Sequence, residues 1–372
     1  MISQIKILLT STNFFTVYKF RLALIEELTL KGFKVIVIAS ADDMSKDSYR
    51  LLVEKGIKCI DIGPDRGSYS FSMFLKKILI YRQIIDLHKV DICVNFTLLS
   101  NVIGGISSLQ KKIRFISVVT GLGGQYHNSF ISKFITIILY RLIIKKSSQI
   151  WFVSKSDATE ALKYIRYSEQ KSYIVYGSGI KNQEICKINY SKSYKQKILY
   201  LGRIRVDKGT DDFLSLAKNL YNSNDQEFIL MGKVDTKNKS LLRFLEDSIK
   251  RKYITFLNFN IGTQEVFKSS HVLVLCSKHE GMPTVLLEAM SNSLVPVSSN
   301  IPVSLELMEM GAKIYTYSPG NIDELERIIK YISNLPQKTI NKILKNNFDF
   351  VNKYFNQKII AKKQTALIET LV

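Results

Sequence analysis

Two carboxylates eight positions apart, Glu280 and Glu288, stand on either side of a break in the chain formed by Gly281 and Pro283. The apolar run 272–276 that precedes them predicts a buried strand of a parallel sheet, and the residues after the proline predict the first turns of a helix. A strand would then end in a tight loop that carries one carboxylate, and the helix would begin with exposed amide groups. Loops of this kind, at the carboxyl ends of parallel strands, are where α/β proteins bind phosphorylated ligands.

A second group of polar side chains opens the second half of the chain, where Gly202, Arg203 and Lys208 follow the apolar run 197–201. We expect Gly202 to let the backbone turn sharply at the end of this strand. Arg203 offers a planar fork of donors and Lys208 a point charge, a pair suited to a diphosphate. Taken alone, the motif is more typical of an ordinary strand–helix loop with solvated basic residues. The carboxylate loop favours a ligand site, because both loops end predicted strands of one half and can converge on one crevice.

The Glu-x7-Glu spacing around a Gly-x-Pro loop resembles the signature of the retaining glycosyltransferases of family 4, which have the GT-B fold. The resemblance implies that Arg203 and Lys208 contact the pyrophosphate of a nucleotide-sugar donor and act with Glu280 in catalysis. It also implies that Glu280 approaches the donor sugar and that Glu288 holds the ribose hydroxyls, although an exposed helical Glu is the alternative for Glu288 alone. The donor site implied in this way comprises Gly202, Arg203, Lys208, Glu280, Gly281, Met282, Pro283, Thr284 and Glu288.

A glycine-rich segment of the first half, residues 120–127, follows the predicted strand 113–119. It resembles the Thr-Gly-Leu-Gly stretch of family members that act on lipid-linked sugars, where that stretch lines the acceptor side of the cleft. His127 is a candidate acid/base or donor-phosphate contact, and Arg21 in the first helix is a candidate contact for an acceptor phosphate. The alternatives are a flexible connection, a solvent-facing His127 and a surface Arg21. The acceptor-side glycines implied by the resemblance are Gly121, Gly123 and Gly124.

The order of apolar runs and helical periods predicts the fold. β-like runs alternate with helical periods up to residue 175, and the same rhythm restarts at residue 197, which argues for doubly wound parallel sheets. The predicted elements include a first strand over 5–9, a helix over 304–310 and a strand over 313–316. We predict an α/β protein of the GT-B type, with two Rossmann-like domains facing across a cleft and a C-terminal helix returning to the first domain. The predicted parts are an acceptor-binding domain 1–180, a linker 181–196, a nucleotide-sugar domain 197–350 and the returning helix 351–372.

The chain is strongly basic, with a formal net charge of +21. Residues 66–156 contain thirteen Lys or Arg, two Asp and no Glu, and such a region predicts an anionic partner. The segments 71–88 and 130–146 are apolar on more than one face and flanked by basic residues, as in helices that lie at an anionic membrane surface. A buried core helix is the alternative for each. No run reaches the roughly 18 apolar residues of a membrane span, so we expect peripheral contact.

The cysteines and the N-terminal residues indicate in which cellular compartment the protein is expected. Four widely spaced cysteines form no CxxC pair or Cys/His cluster, so neither a metal site nor a disulfide framework is expected. The apolar run 5–9 is too short for a signal peptide. We therefore expect a reduced, cytoplasmic compartment, with the basic helices holding the protein at the inner face of the plasma membrane.

No Asp-x-Asp triplet, on which metal-dependent glycosyltransferases typically rely, occurs in the chain. We expect no metal and no cofactor, because Arg203, Lys208 and helix amides can neutralise a leaving diphosphate. The resemblance implies a retaining hexosyltransferase that moves a hexose or an N-acetylhexosamine from a UDP-sugar. We expect a saccharide linked to undecaprenyl diphosphate, a polyprenyl carrier, as the acceptor, in bacterial O-antigen or capsule synthesis. A soluble or a simple lipid acceptor is the alternative.

Three other functional classes compete with a glycosyltransferase. The net charge suggests a nucleic-acid-binding protein, but no aromatic–basic recognition motif supports it, so we expect no nucleic acid partner. A nicotinamide-dependent oxidoreductase needs a G-x-G-x-x-G turn after the first strand, and residues 9–15 contain no glycine. An inactive donor-binding fold is disfavoured because Arg203, Lys208, Glu280 and Glu288 are all present.

Overall fold

The structure is a computed structural model that describes residues 4–42, 45–63, 71–121, 138–139, 141–165, 167–181, 195–221, 225–258 and 263–372. The chain divides into two compact units, one formed by Met1–Gly179 with Gln357–Val372 and the other by Ile180–Asn356. Each unit is built on one parallel sheet with helices, so the predicted pair of Rossmann-like α/β domains is confirmed. The division predicted at residue 350 falls inside a helix, Gln337–Tyr354, that belongs entirely to the second unit.

The first unit contains, in its described part, one sheet of seven strands. The strands are β1 (Lys6–Asn13), β2 (Lys34–Ser40), β3 (Lys58–Asp61), β4 (Ile92–Phe96), β5 (Arg114–Val119), β6 (Gln149–Phe152) and β7 (Ser172–Ile174). Their order is β3-β2-β1-β4-β5-β6-β7, and neighbouring strands are parallel. The helices are α1 (Phe14–Leu30), α2 (Lys46–Glu54), α3 (Phe71–His88), α4 (Leu98–Lys111) and α5 (Lys155–Tyr164).

Strand β1 extends to Asn13, beyond the predicted run 5–9, because the polar side chains at its end find hydrogen-bond partners. Thr10 is buried, and its hydroxyl donates to Asn95 Oδ1 at 2.8 Å on the neighbouring strand β4. Asn13 ends the strand and caps α1, since its side chain accepts a hydrogen bond from Thr16 N at 3.0 Å. Helix α1 therefore begins directly after the strand.

The last helix of the chain packs in the first unit. Ile368, near the end of this helix, is fully buried in a cluster with Phe14 and Trp151. Gln149 Nε2 donates to the carbonyl of Leu367 at 2.8 Å. The predicted return of the C-terminal helix to the first domain is confirmed for the helix Gln357–Glu369.

The second unit contains a sheet of six strands among the residues that the structure describes. The strands are β8 (Gln196–Leu201), β9 (Gln226–Met231), β10 (Thr255–Leu257), β11 (Val272–Leu275), β12 (Val295–Ser299) and β13 (Tyr315–Tyr317). Their order is β10-β9-β8-β11-β12-β13, again parallel. The helices are α6 (Thr210–Leu220), α7 (Lys239–Lys250), α8 (Thr263–Ser269), α9 (Thr284–Ser291), α10 (Pro302–Glu309), α11 (Ile322–Ser333) and α12 (Gln337–Tyr354), and the returning helix Gln357–Glu369 is α13.

Two predicted elements of the second unit differ from the structure near its end. Helix α10 begins at Pro302, two residues before the predicted start, because proline has a suitable φ and needs no amide partner in a first turn. Strand β13 begins at Tyr315, whereas the prediction placed a strand over 313–316. The backbone N–H and C=O of Lys313 are both bonded to the side chain of Asn347, at 2.7 and 2.8 Å, and so do not join the sheet.

Residues 182–194 of the predicted linker lie outside the described part, and β8 begins at Gln196. Within the ranges that the structure describes, no helix is both long enough and apolar enough to cross a membrane.

Candidate functional site

The two predicted site loops of the second unit follow β8 and β11, which are neighbours in the middle of the sheet. From β8 the chain continues outward to β9 and β10, and from β11 it continues in the other direction to β12 and β13. The carboxyl ends of β8 and β11 therefore mark the point where the strand order reverses. Open α/β sheets bind ligands at this point.

The carboxylate loop runs from Ser277 to Pro283 between β11 and α9. Pro283 is the N-cap of α9, its side chain makes no capping bond, and its carbonyl accepts from Leu286 N at 3.0 Å and from Leu287 N at 3.3 Å. The first amides of α9 thus start a helix without a side-chain cap, an arrangement that favours a negatively charged group. Gly281 and Pro283 are buried, whereas Met282 in the loop and Thr284 at the start of α9, which are also predicted to contact the donor, are half-buried.

The basic loop runs from Gly202 through a short 3-10 helix, Val206–Lys208, to the start of α6. Tyr200, in β8, holds this loop through hydrogen bonds of its hydroxyl. Its hydroxyl bonds to the carbonyl of Arg203 at 3.0 Å, the carbonyl of Lys208 at 3.3 Å and Thr210 Oγ1 at 3.0 Å. Burial raises the pKa of Tyr200 far above its usual range, so the hydroxyl keeps its proton. The sequence analysis missed Tyr200, because a tyrosine in an apolar run is ordinary for a strand.

The basic loop and the carboxylate loop meet through a charged contact. Lys208 Nζ lies 2.7 Å from Glu280 Oε1, and Ser277 Oγ donates to the same oxygen at 2.6 Å. The two charged side chains are only 17% and 20% exposed. A backbone hydrogen bond from Lys278 N to Asp207 O, at 3.0 Å, joins the loops a second time. The predicted diphosphate contact and the predicted sugar contact therefore lie side by side.

The side chain of Arg203 is more exposed than that of Lys208, and its ion pair is longer. Its Nη1 lies 3.4 Å from Asp235 Oδ2, and the Nη1 of Arg205 lies at the same distance from that oxygen. Arg205 also donates through Nε to Asp207 Oδ1 at 2.7 Å. Arg203 is 58% exposed, and an ion pair in that position contributes little to stability. Its guanidinium is therefore accessible to a ligand from solvent.

Two glycines near the basic loop bring backbone segments close together. The carbonyl oxygen of Gly202 lies 1.8 Å from where a Cβ on Gly232 would be, so the turns after β8 and β9 touch through their backbones. The sharp turn expected at Gly202 stays a prediction. The left-handed residue is Gly209, with a φ of 62°, and a Cβ there would lie 2.0 Å from the carbonyl oxygen of Cys276. This close approach brings the two site loops together.

Glu288 occupies the second turn of α9 and is half-buried. It lies on the same helix whose N-terminus follows the carboxylate loop. The spacing predicted that its side chain lies on the face of the helix near the loop, and that orientation stays a prediction. Its role toward ribose stays a prediction.

The acceptor-side candidates belong to the first unit. Gly123, Gly124 and His127 lie outside the described residues. Gly121 follows β5 with a φ of 113°, a conformation that favours glycine. Of the three acceptor-side glycines, Gly121 is the one that the structure describes.

Arg21 is not the exposed surface residue that the alternative interpretation supposed. Its guanidinium lies over the ring of Phe96, 3.9 Å from the centroid, and its Nε is buried with no hydrogen-bond acceptor among the described residues. Burial lowers the pKa of Arg21 to about 9. The side chain is half-buried as a whole, and its Nη1 donates to the carbonyl of Phe20 at 3.4 Å.

Comparison with known proteins gives a family match within the second unit. Residues 181–349 match the family model described as glycosyl transferases group 1. This part of the chain is similar to that family. The matched residues include both site loops, from Gly202 to Glu288.

Two relatives of the chain carry informative names. The O-antigen chain mannosyltransferase RfbU of Salmonella typhimurium is 26% identical over 214 residues, which cover 57% of this chain and 58% of that protein. The UDP-Gal:alpha-D-GlcNAc-diphosphoundecaprenol alpha-1,3-galactosyltransferase of Escherichia coli is 26% identical over 191 residues, or 48% of each protein. The matched part of the chain spans about half the length of these curated relatives.

Among solved structures, Anabaena HepE in complex with UDP-glucose resembles the whole chain. The TM-score is 0.78 at 18% identity, with 99% of both chains covered. Since the identity is low, this likeness shows the fold alone, and it confirms the predicted GT-B fold class.

Proposed function

We propose that this protein is a retaining glycosyltransferase of family 4 that uses a UDP-sugar as its donor. The observation that carries the proposal is the 2.7 Å contact between Lys208 and Glu280, because it joins a loop suited to a diphosphate with a loop suited to a sugar. A relative named for UDP-Gal and a structural neighbour in complex with UDP-glucose support the choice of nucleotide.

In the proposed donor complex, Arg203 and Lys208 bind the diphosphate, Glu280 accepts hydrogen bonds from the sugar, and Glu288 accepts them from the ribose diol. A carboxylate has two acceptor oxygens, which suit neighbouring hydroxyls. The N-terminal amides of α9 add a positive partial charge, which stabilises anionic groups of the donor.

We propose a metal-independent reaction with retention at the anomeric carbon. The bond between that carbon and the phosphate oxygen breaks, the acceptor oxygen bonds to the same face, and the acceptor proton passes to the leaving phosphate. No protein base is required. Arg203 and Lys208 stabilise the charge that develops on the diphosphate. In many enzymes, electrostatic stabilisation of the transition state by preorganised groups is the largest contribution to the rate enhancement.

We further propose an acceptor sugar carried on undecaprenyl diphosphate, in O-antigen or capsule-type polysaccharide synthesis. The names of the two relatives support this acceptor class. Arg21 supports it as well, because a guanidinium with a buried and unbonded Nε gains stability when an anion such as an acceptor phosphate approaches its outer edge. Gly121, Gly123, Gly124 and His127 remain the proposed lining of the acceptor side.

A polyprenyl-linked acceptor would place the protein at the cytoplasmic face of the plasma membrane. Helix α3 supports peripheral contact with an anionic membrane. One face of α3 is core, with Ile78 and Tyr81 buried, but Leu75, Leu79 and Leu87 are 44%, 54% and 76% exposed. Exposed leucines beside basic residues favour attachment to an anionic lipid surface.

We expect the protein to float with phosphatidylglycerol vesicles at low salt, and the double variant Leu75→Gln, Leu79→Gln to bind them at least about fivefold more weakly, because less apolar area enters the membrane. A matched double variant, Leu30→Gln with Leu162→Gln, changes two exposed leucines of α1 and α5 and is expected to bind as the wild type does. A wild-type protein that stays wholly soluble would contradict the membrane proposal.

The donor proposal is tested with the purified protein, a panel of UDP-sugars and a membrane extract as acceptor source, while release of UDP is followed. We expect UDP release with at least one sugar, and UDP binding weakened about tenfold by Glu288→Ala through loss of a charged hydrogen-bond acceptor. Glu246→Ala, on the exposed face of α7, is the control. Absence of both nucleotide binding and UDP release would contradict the proposed function.

A further inference from the structure

Glu280 is held through one of its two oxygens. Its Oε1 accepts a hydrogen bond from Lys208 at 2.7 Å and another from Ser277 at 2.6 Å. The described residues make no hydrogen bond to Oε2. Ser277 is itself fixed, since it is 2% exposed and its carbonyl accepts from the hydroxyl of Ser299. The orientation of the carboxylate is therefore fixed through Oε1, which bonds to Lys208 and Ser277, and Oε2 is left to accept hydrogen bonds from a ligand.

The ammonium of Lys208 lies between two anions once a diphosphate is bound. It has three N–H donors and can keep Glu280 while it bonds to phosphate oxygens. The Glu280 carboxylate, 20% exposed, would then lie within a few ångströms of the diphosphate. Like charges repel strongly at such distances where water is partly excluded. The electrostatic cost depends on how much charge the phosphate carries.

A nucleotide-sugar and the free nucleoside diphosphate differ in this respect. The terminal phosphate of free UDP has a second pKa of about 6, so at neutral pH it carries about one more negative charge than the same phosphate joined to a sugar. The intact donor also brings sugar hydroxyls, which donate hydrogen bonds to the free oxygen of a carboxylate. UDP brings no such donors.

We propose that Glu280 makes the site selective for the intact nucleotide-sugar over the free nucleoside diphosphate, and that it promotes release of UDP after transfer. This inference rests on the proposed function, which it extends from donor binding to discrimination between donor and product. Ser277 is a positioning residue, since it fixes Oε1 and leaves Oε2 for the sugar. The same carboxylate thus attracts the donor through its hydroxyls and repels the product through its charge.

The test is the variant Glu280→Gln, which keeps size and shape and removes the charge. Equilibrium binding is measured by calorimetry for UDP and for whichever of UDP-glucose, UDP-galactose and UDP-N-acetylglucosamine the wild type binds best. We expect Glu280→Gln to tighten UDP binding by about threefold to tenfold and to weaken binding of that UDP-sugar by about tenfold, since an amide is a weaker acceptor than a carboxylate. The two shifts have opposite signs, which a merely structural defect would not produce.

Glu246→Gln removes the same charge from an exposed position on α7 and is expected to leave both affinities unchanged. Ser277→Ala keeps the charge but releases Oε1, so it is expected to weaken UDP-sugar binding by about threefold to fivefold without tightening UDP. Equal shifts for UDP and UDP-sugar in Glu280→Gln would overturn the inference while nucleotide binding by the wild type still supports the proposed function. A wild-type protein that binds neither nucleotide would overturn both.

Discussion

Replacing Lys208 with Met is expected to lower kcat/KM for sugar transfer by about 10²- to 10³-fold. Met keeps an unbranched apolar stem and removes the ammonium. The leaving diphosphate gains negative charge as the glycosidic bond breaks, and Lys208, with a side chain only 17% exposed, acts on it where water is partly excluded. Glu280 also loses the cation 2.7 Å from its carboxylate, so the donor meets an uncompensated negative charge.

Steady-state rates with the UDP-sugar that the wild type turns over separate kcat from KM, and a melting curve shows whether the fold is kept. Lys278→Met is the matched control, because this lysine lies in the adjoining carboxylate loop and its side chain is exposed. We expect the control to stay within about twofold of the wild type, since an exposed charge is screened. Wild-type kinetics in Lys208→Met with an intact fold would remove Lys208 from the catalytic group.

Part of the candidate site follows from the sequence by a simple rule. The runs before Arg203 and before Glu280 are apolar and short, and each is followed by a break and a helical period. Strands with such surroundings lie in parallel sheets, whose carboxyl ends face one edge. The rule predicted that the two loops could converge, and in the structure Lys208 and Glu280 are in contact.

The supporting residues could not be predicted in the same way. Tyr200 and Ser277 act through hydrogen bonds to atoms three to ten positions away, and their residue types are common in strands and loops. Asp235 lies in the loop after β9 and Arg203 in the loop after β8, and the two side chains meet only because β8 and β9 pair in the fold. Contacts that depend on strand order are not visible in local sequence patterns.

The elements of the fold were predicted more completely than their ends. Continuous apolar runs reveal buried strands, but the end of a strand depends on where its polar groups find partners. The strand predicted over 5–9 continues to Asn13 because Thr10 is bonded to Asn95 inside the sheet. The strand predicted to begin at 313 begins at Tyr315 because Asn347 holds the backbone of Lys313. Both partners are distant in sequence.

Replacing Gly209 with Ala is expected to lower the free energy of unfolding by about 3 kcal/mol or more. Two effects add. The φ of 62° is one that residues with a Cβ adopt only with strain, and the new Cβ would lie 2.0 Å from the carbonyl oxygen of Cys276 and 2.7 Å from its carbonyl carbon. These atoms belong to the backbone at the end of β11, so they cannot rotate away as a side chain would.

The relief of this clash would have to separate the two site loops, because Cys276 directly precedes Ser277 and Glu280. We therefore expect Gly209→Ala to weaken UDP binding as well as stability, measured by calorimetry and by urea unfolding followed by circular dichroism. Gly320→Ala separates the two causes, since Gly320 has a φ of 83° in the same unit and no atom within 4 Å of its added Cβ. Strain alone is expected to cost about 1 kcal/mol there. Equal losses in the two variants would mean that the approach to Cys276 contributes nothing, and the backbone contact would then not be what holds the loops together.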